Sequence, residues 1–426
     1  MVLNYIWIGF FLIAFLVAII RTVGYYFRDS LVEIGLYFDA ADFNVFQDII
    51  QQMFFWAEKS VGISIYLIGI MTLWLGIMKI GENAGAVQGL ARLFSPFFQK
   101  IFPDIPKNHP AYGSMMMNFS ANMLGLDNAA TPLGINAMKE LQKENKEKTR
   151  ASNAQIMFLV LNTSGLTLIP VTVIGYRAMY HATNPADVFI PILIATYCST
   201  LIGLITVSLF QKINLFNKTV LLYLGTITLF IGLIIWYMSG LEKEKIASYS
   251  GLAGNMILFS IITLFILMAF RRKINVYDSF IEGAKKGFGI AIKIIPYLIA
   301  MLVAIGAFRA SGAFDILIEG IANVLAVFGA DPRIADALPT AFMKPLSGGG
   351  ARGMMIETMD KFGADSFQGF LSSVFQGSTE TTFYTLAVYF GAINVKNTRY
   401  TVTAGLIADF AGILAAIFIA IIVFGN

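Results

Sequence analysis

The sequence predicts an all-α polytopic membrane protein of about nine transmembrane helices, two re-entrant helical hairpins and two interfacial helices, arranged as inverted repeats. Three observations carry this expectation: long runs without charge, loops that alternate in Lys and Arg content, and an internal repeat. Of 426 residues, 57% are hydrophobic and 13% charged, against roughly 25% charged in a soluble domain. Mean hydropathy is +0.72, which points to a chain solvated by lipid. The single Cys198 excludes a disulfide framework, and His109 and His181 stand in unrelated contexts, so no metal site and no cofactor are expected. A dispersed net charge of +4 excludes a nucleic-acid partner. No catalytic constellation emerges, and the chain is not read as an enzyme.

A hydrocarbon core about 30 Å thick needs about 20 apolar helical residues. Residues 3–20, 61–78, 154–176, 188–210, 219–240 and 246–270 contain no Asp, Glu, Lys or Arg. Three more stretches hold one ionisable residue each: 287–308 with Lys293, 366–395 with Glu380, and 400–426 with Asp409. The first run has neither a basic n-region nor a small-residue cleavage site, so it reads as an anchor, not a cleaved signal. Segment 21–59 is acidic and reads as outside, whereas 79–107 and 139–150 carry the Lys and Arg of cytoplasmic loops. The basic 271–286 and the acid-rich 309–336 continue the alternation. It implies an N-terminus inside and a C-terminus outside.

Residues 86–102 place apolar side chains at helical spacing and suit a helix lying in the interface. The following 111–138 is apolar but interrupted by Gly, Asn, Asp and Pro, so it cannot face lipid and reads as a re-entrant hairpin buried in protein. Sliding the sequence so that Lys59 falls on Lys286 aligns Gly62 with Gly289, Gly85 with Gly312, Asp104 with Asp331 and Ser120 with Ser347. The second copy again offers a span, an amphipathic helix (313–328) and a polar broken segment (334–359). Five crossings separate the two starts, so the copies are expected to be inverted, as in secondary transporters whose broken helices bind solute near the midplane. The chain is divided into an N-terminal span and extracytoplasmic segment (1–58), a first repeat (59–212), connecting spans (213–275) and a second repeat (276–426).

This order of elements resembles the concentrative nucleoside transporters and the related Gate, or nucleoside recognition, domains. More closely, NFSANMLGLDNAATPLGINAMKEL (118–141), PLSGGGARGMMIETM (345–359) and QGSTETTFYTLAVYFGA (376–392) look like the bacterial spore maturation proteins A and B. Residues 1 to about 240 resemble the A protein and about 250 to 426 the B protein, fused in one chain. The resemblance implies a multi-pass protein of the bacterial cytoplasmic membrane. It does not fix a substrate, because one scaffold serves several functions.

Three polar clusters are candidates for solute binding. Asn118, Ser120, Asn122, Asp127, Asn128 and Thr131 lie in the first hairpin, where they either bind a polar ligand or cap the half-helices. Asn122, Asp127 and Asn128 are expected to converge with Asn162 and Thr163 on one pocket. Ser347, Gly349 and Arg352 occupy a Gly-rich turn that has no surrounding strand, which excludes a dinucleotide fingerprint. There Arg352 either meets a carboxylate or phosphate or snorkels to the interface. Gln376, Ser378, Thr379 and Glu380, mirrored by Asn162, Thr163 and Ser164, lie in spans too polar to face lipid, and both spans read as unwound at mid-depth. Glu380 and Asp409 are the candidate coupling-ion carboxylates, with a proton or sodium as the ion, unless they form buried ion pairs with Arg352, Lys344 or Lys293. The expected function is secondary transport of a small polar solute, nucleoside-like or other. The alternative is a non-transporting component of envelope or spore maturation machinery. A homo-oligomer is left open.

Overall fold

The computed structural model describes residues 2–106, 109–125, 127–241, 243–327 and 329–424, leaving out the side chains of 2, 3, 127–129, 238, 239, 243, 244, 246 and 247. Among these residues the fold is helical, and strand pairing is limited to one isolated bridge between Arg150 and Asn397. Helix α1 (Val2–Tyr26) is followed by a short α2 (Arg28–Leu31). A first series then runs α3 (Ala40–Asn83), α4 (Ala86–Ile101), α5 (Pro110–Met123), α6 (Asp127–Glu144), α7 (Asn153–Ser164), α8 (Val171–Met179) and α9 (Phe189–Gln211). Helices α10 (Lys218–Ser239) and α11 (Lys243–Arg271) connect it to a second series. That series is α12 (Val276–Ala310), α13 (Ala313–Val327), α14 (Arg333–Met343), α15 (Gly348–Phe362), α16 (Phe367–Gly377), α17 (Thr382–Gly391) and α18 (Thr401–Phe424).

Among the described residues, seven helices are long and apolar enough to cross a membrane: α1, α3, α9, α10, α11, α12 and α18. Their outward side chains are apolar, with Phe259 and Trp236 more than 70% exposed, as expected where lipid replaces water. The two remaining expected spans, 154–176 and 366–395, are each two short helices separated by a break, at 165–170 and 378–381.

The two series match element for element. Gly85 and Gly312 both take left-handed backbone (φ 81° and 85°) at the joint after the long helix. Each half-helix that precedes a break starts on a serine cap: Ser152 Oγ accepts from Gln155 N and Ser366 Oγ from Gly369 N. Equivalent elements also pack on each other, α3 along α12 and α9 along α18. The α3–α12 contact is close because Gly283 and Gly287 are one turn apart. A Cβ there would stand 2.1 Å from Leu75 O and 2.4 Å from Met71 O.

Two loop expectations are corrected: residues 276–286, read within the basic loop 271–286, are the first turns of α12, and the acidic segment is also largely helical. Residues 40–59, read as part of an acidic outside loop, are the first five turns of α3. Asp39 and Asp42 form a reciprocal capping box there, and Arg21 of α1 ties it to the second series by donating to Asp42 Oδ1 (2.6 Å) and Ser311 O (3.1 Å). Charged residues ended the hydropathic run without ending the helix.

Candidate functional site

Each break leaves backbone groups that helix geometry would have satisfied. Both are repaired in the same way, by the neighbouring helix pair. Leu168 N donates to Met123 O (2.8 Å) at the end of α5, and Phe383 N donates to Pro345 O (2.9 Å) between α14 and α15. The two breaks also touch each other, since Glu380 N donates to Thr163 O (2.8 Å). Gly165, at φ +48°, supplies the room: a Cβ on it would stand 2.8 Å from Glu380 Cγ.

Around this contact lie two polar chambers that share Asn122, Gly348, Arg352, Glu380 and Thr381. The smaller, about 130 Å³, adds Thr167, Pro170, Thr172, Lys344, Gln376 and Thr379. The larger, about 760 Å³, adds Thr131, Asn162, Ser347, Gly349 and the aromatic Phe383, Tyr384 and Tyr389. The N-termini of α8, α15 and α17 border the chambers through Val171, Gly348 and Thr381, bringing partial positive charge beside Lys344 and Arg352. Gln376 is only 7% exposed, yet its Oε1 has no partner. A buried polar group left in this state costs free energy until something bonds it.

The sequence-predicted residues divide into those on the chamber walls and those behind them. Asn122, Thr131, Asn162, Ser347, Gly349, Arg352, Gln376, Thr379 and Glu380 are on the walls. Asn122 Nδ2 donates to Asn162 Oδ1 (2.9 Å), whose own Nδ2 bonds Phe158 O (2.8 Å). Ser347 caps α15 by accepting from Gly350 N (3.0 Å).

Behind the walls, Asn118 Nδ2 bonds Ala130 O and Tyr389 Oη, fastening the first helix pair to α17. Ser120 is buried in α5. The hydroxyls of Thr163, Ser164 and Ser378 turn back onto Val160 O, Leu161 O and Phe375 O of their own helices. Asp409 is 2% exposed; its Oδ2 accepts from Thr382 Oγ1 (2.7 Å), the first residue of α17, and its Oδ1 has no partner. The expected convergence therefore joins Asn122 and Asn162 and leaves Thr163 contributing its carbonyl. The side chains of Asp127 and Asn128 lie outside the described residues.

The walls also hold residues that are not among the expected binding residues: Lys344, expected only as an ion-pair partner, and Tyr384 and Tyr389. Lys344 could have been found as the one basic residue inside the polar segment 334–351, which Arg333 and Arg352 flank. The tyrosines carried no signal, because aromatic residues inside an apolar span are the norm.

Comparison with known proteins agrees with this architecture. The family model described as nucleoside recognition (Gate) matches residues 64–179 and 291–396, together just over half of the chain and once in each series. The chain is 44% identical over 170 residues to spore maturation protein A of Bacillus subtilis (strain 168), covering 40% of this chain and 86% of that protein. It is also 44% identical over 155 residues to spore maturation protein B of the same organism, covering 36% of this chain and 85% of that protein. No solved structure matches. The chain belongs to the nucleoside recognition (Gate) family, and it joins in one polypeptide the likenesses of spore maturation proteins A and B.

Proposed function

We propose that the chain is a secondary transporter that moves a small polar solute across the bacterial cytoplasmic membrane. The observation that carries this reading is the pair of polar chambers enclosed by helix breaks from both series, with Glu380 and Arg352 on the wall common to both. A scaffold has no use for broken helices, whose backbone repair costs free energy. In this reading the α7–α8 and α16–α17 pairs cross the bilayer as discontinuous spans, giving nine crossings, and the α5–α6 and α14–α15 pairs enter it as re-entrant hairpins from opposite faces. The two series are then inverted, with an inside N-terminus and an outside C-terminus, and alternating access is a movement of one series against the other. Glu380 carries the coupling proton or sodium, and Asp409 supports it through Thr382 at the start of α17.

A thermal-shift screen against nucleosides, amino acids, dipeptides and lipid-linked phosphates identifies the solute, since a ligand that binds the folded state raises its stability. Uptake of that solute into reconstituted vesicles then tests the reading. Wild-type protein should accumulate it under an ion gradient, and Glu380→Gln should stay folded but lose coupled uptake. A solute that binds without ever crossing would instead favour a non-transporting membrane component of envelope or spore maturation machinery, spore maturation being the role after which both relatives are named.

A further inference from the structure

A third cavity, of about 530 Å³, meets the larger polar chamber at Ser347, Gly349 and Arg352. Apart from Asn4 of α1, its other walls are mainly apolar: Trp7 of α1 with Leu298 and Met301 of α12. It runs along the flank of the bundle where α1 meets α12, beside Tyr297, which is 70% exposed. In a chain that spans a bilayer, that flank faces hydrocarbon. The Trp7 indole donates to Ala300 O (3.0 Å) and holds the two helices together at this groove.

A lipid-facing groove would be expected to end in apolar packing, but this one ends on a guanidinium. Arg352 Nε is buried and without a hydrogen-bond partner, while the guanidinium lies beside the Tyr176 hydroxyl on one side and shares the chamber wall with Glu380. Beside it α15 begins at Gly348 and Gly349, whose amides have no carbonyl one turn back to bond. A Cβ on Gly349 would meet only Ser347 Oγ, at 3.9 Å, so this helix end opens on free space. A neutral solute would offer the Arg352 guanidinium and the open amides of α15 weaker acceptors than an oxyanion does. A fully water-soluble anion would account for Arg352 but not for the apolar groove leading to it.

We infer that the solute is an amphipathic oxyanion, whose phosphate or carboxylate head binds Arg352 and the α15 N-terminus while its hydrocarbon chain lies in the groove between α1 and α12. The inference rests on the proposed function and changes its solute class: only the polar head enters the chamber, and the solute as a whole is amphipathic. The head group exchanges water for a guanidinium and backbone amides, the donors suited to an oxyanion. The chain never leaves an apolar environment, because it slides in laterally from the lipid.

The full chain in nanodiscs of zwitterionic lipid tests this with a single-chain alkyl phosphate brominated along its chain, which quenches tryptophan on contact. Saturable quenching is expected, and the Trp7→Phe variant should lose it. An alkyl carboxylate of equal length should also quench, the ratio of the two affinities identifying the head group, and the corresponding brominated alcohol should not. Arg352→Gln should weaken the alkyl phosphate about tenfold or more, with Arg352→Lys recovering part of the loss. Ile294→Phe, which narrows the groove, should weaken the long chain. Equal quenching by the alcohol, an unchanged affinity in Arg352→Gln, or competition by glycerol phosphate as effective as that of the long chain would overturn the inference. If Arg352→Gln fails to fold, the alcohol and glycerol phosphate arms still decide. Saturable quenching without translocation of the probe in vesicles would leave this inference standing and remove the transport reading.

Discussion

The break after α7 and the break after α16 hold equivalent places in the two series, yet they are made differently. The first, residues 165–170, is bounded by a left-handed Gly165 and by Pro170 and presents Thr167 as its one hydroxyl. The second, residues 378–381, is shorter and carries Ser378, Thr379, Thr381 and the carboxylate of Glu380. Where they meet, the first gives a carbonyl and an empty volume and the second fills that volume with a side chain that carries a carboxyl group. One series thus shapes the space and the other puts an acid in it, so a duplicated fold has produced an unsymmetrical site. The same division is seen where each series docks on the other through an arginine. Arg177, fully buried, donates to Ala364 O (2.7 Å) and pairs with Asp187 and Asp365. Arg399, partly exposed, donates to Ala151 O (3.1 Å) and Asn153 Oδ1 (2.9 Å).

The largest expected effect of breaking this comparison is at Arg177. Arg177→Met removes the only guanidinium from two carboxylates and leaves Asp187, itself mostly buried, with no counter-charge, a change that costs about 3–5 kcal/mol. Thermal unfolding in detergent reads the loss. Combining it with Asp187→Asn and Asp365→Asn should restore most of the stability. If the triple variant is no better than the single one, the packing of the Arg177 stem is what matters.

Next in size is Gly165→Ala, expected to cost about 1–3 kcal/mol, because a side chain at φ +48° is strained and its Cβ presses on Glu380 Cγ. The two causes separate in a Glu380→Ala background, which relieves the contact and leaves the strain. A full recovery of stability there would show that room for the carboxylate, not backbone conformation, is what Gly165 provides.

Most of the element order was legible because helices in lipid are written as uncharged runs, and a repeat writes them twice. The breaks were legible for the complementary reason. Five consecutive polar residues from Ser378 to Thr382 cannot face hydrocarbon, and Gly165 with Pro170 ends one helix and starts the next. What could not be read was orientation within a helix. Ser120 and Asn122 are two residues apart on α5, yet only Asn122 reaches the chamber, since that position meets Asn162. Lys344 reads from the sequence only as an ion-pair partner for a buried carboxylate, and its place on the chamber wall follows from packing alone. The extension of α3 to Ala40 was hidden because acids and amides interrupt the apolar run there, while the helix itself continues back to its capping box.

Outside the spans, acidity sharpens the first arginine contact. Burial, opposed by Arg177 and reinforced by the Asp365 charge, raises the Asp187 carboxyl from 3.8 to about 6. The folded state therefore holds that proton more tightly than the unfolded chain does. Its contribution is fully present below about pH 4, is lost as pH rises to about 6, and stays constant above. Melting temperatures between pH 4 and 7 should show this decline as the difference between wild type and Asp187→Asn. A difference that grew with rising pH would mean that pairing with Arg177 outweighs the cost of burying the charge.

The smallest effect is expected at the second arginine contact. Arg399→Ala removes two hydrogen bonds from a partly exposed guanidinium, but Ala151 O and Asn153 Oδ1 remain near the surface, where water can replace them, so the cost is about 1 kcal/mol. Three backbone bonds also hold this joint without any side chain: Lys396 N and Asn397 N to Thr149 O, and Ala151 N to Asn397 O. The first joint has fewer such bonds and relies on the fully buried Arg177 guanidinium, paired with the mostly buried Asp187 and the half-exposed Asp365. A double comparison of Arg177→Met and Arg399→Ala by the same unfolding assay therefore measures how unequally the two series are fastened. Equal losses would mean that the exposed joint is as dry as the buried one and that the asymmetry is confined to the breaks. A loss at Arg399 several times smaller than at Arg177 would place the weaker fastening at the 149–153 and 396–399 loops, the joint that opens first when one series moves against the other.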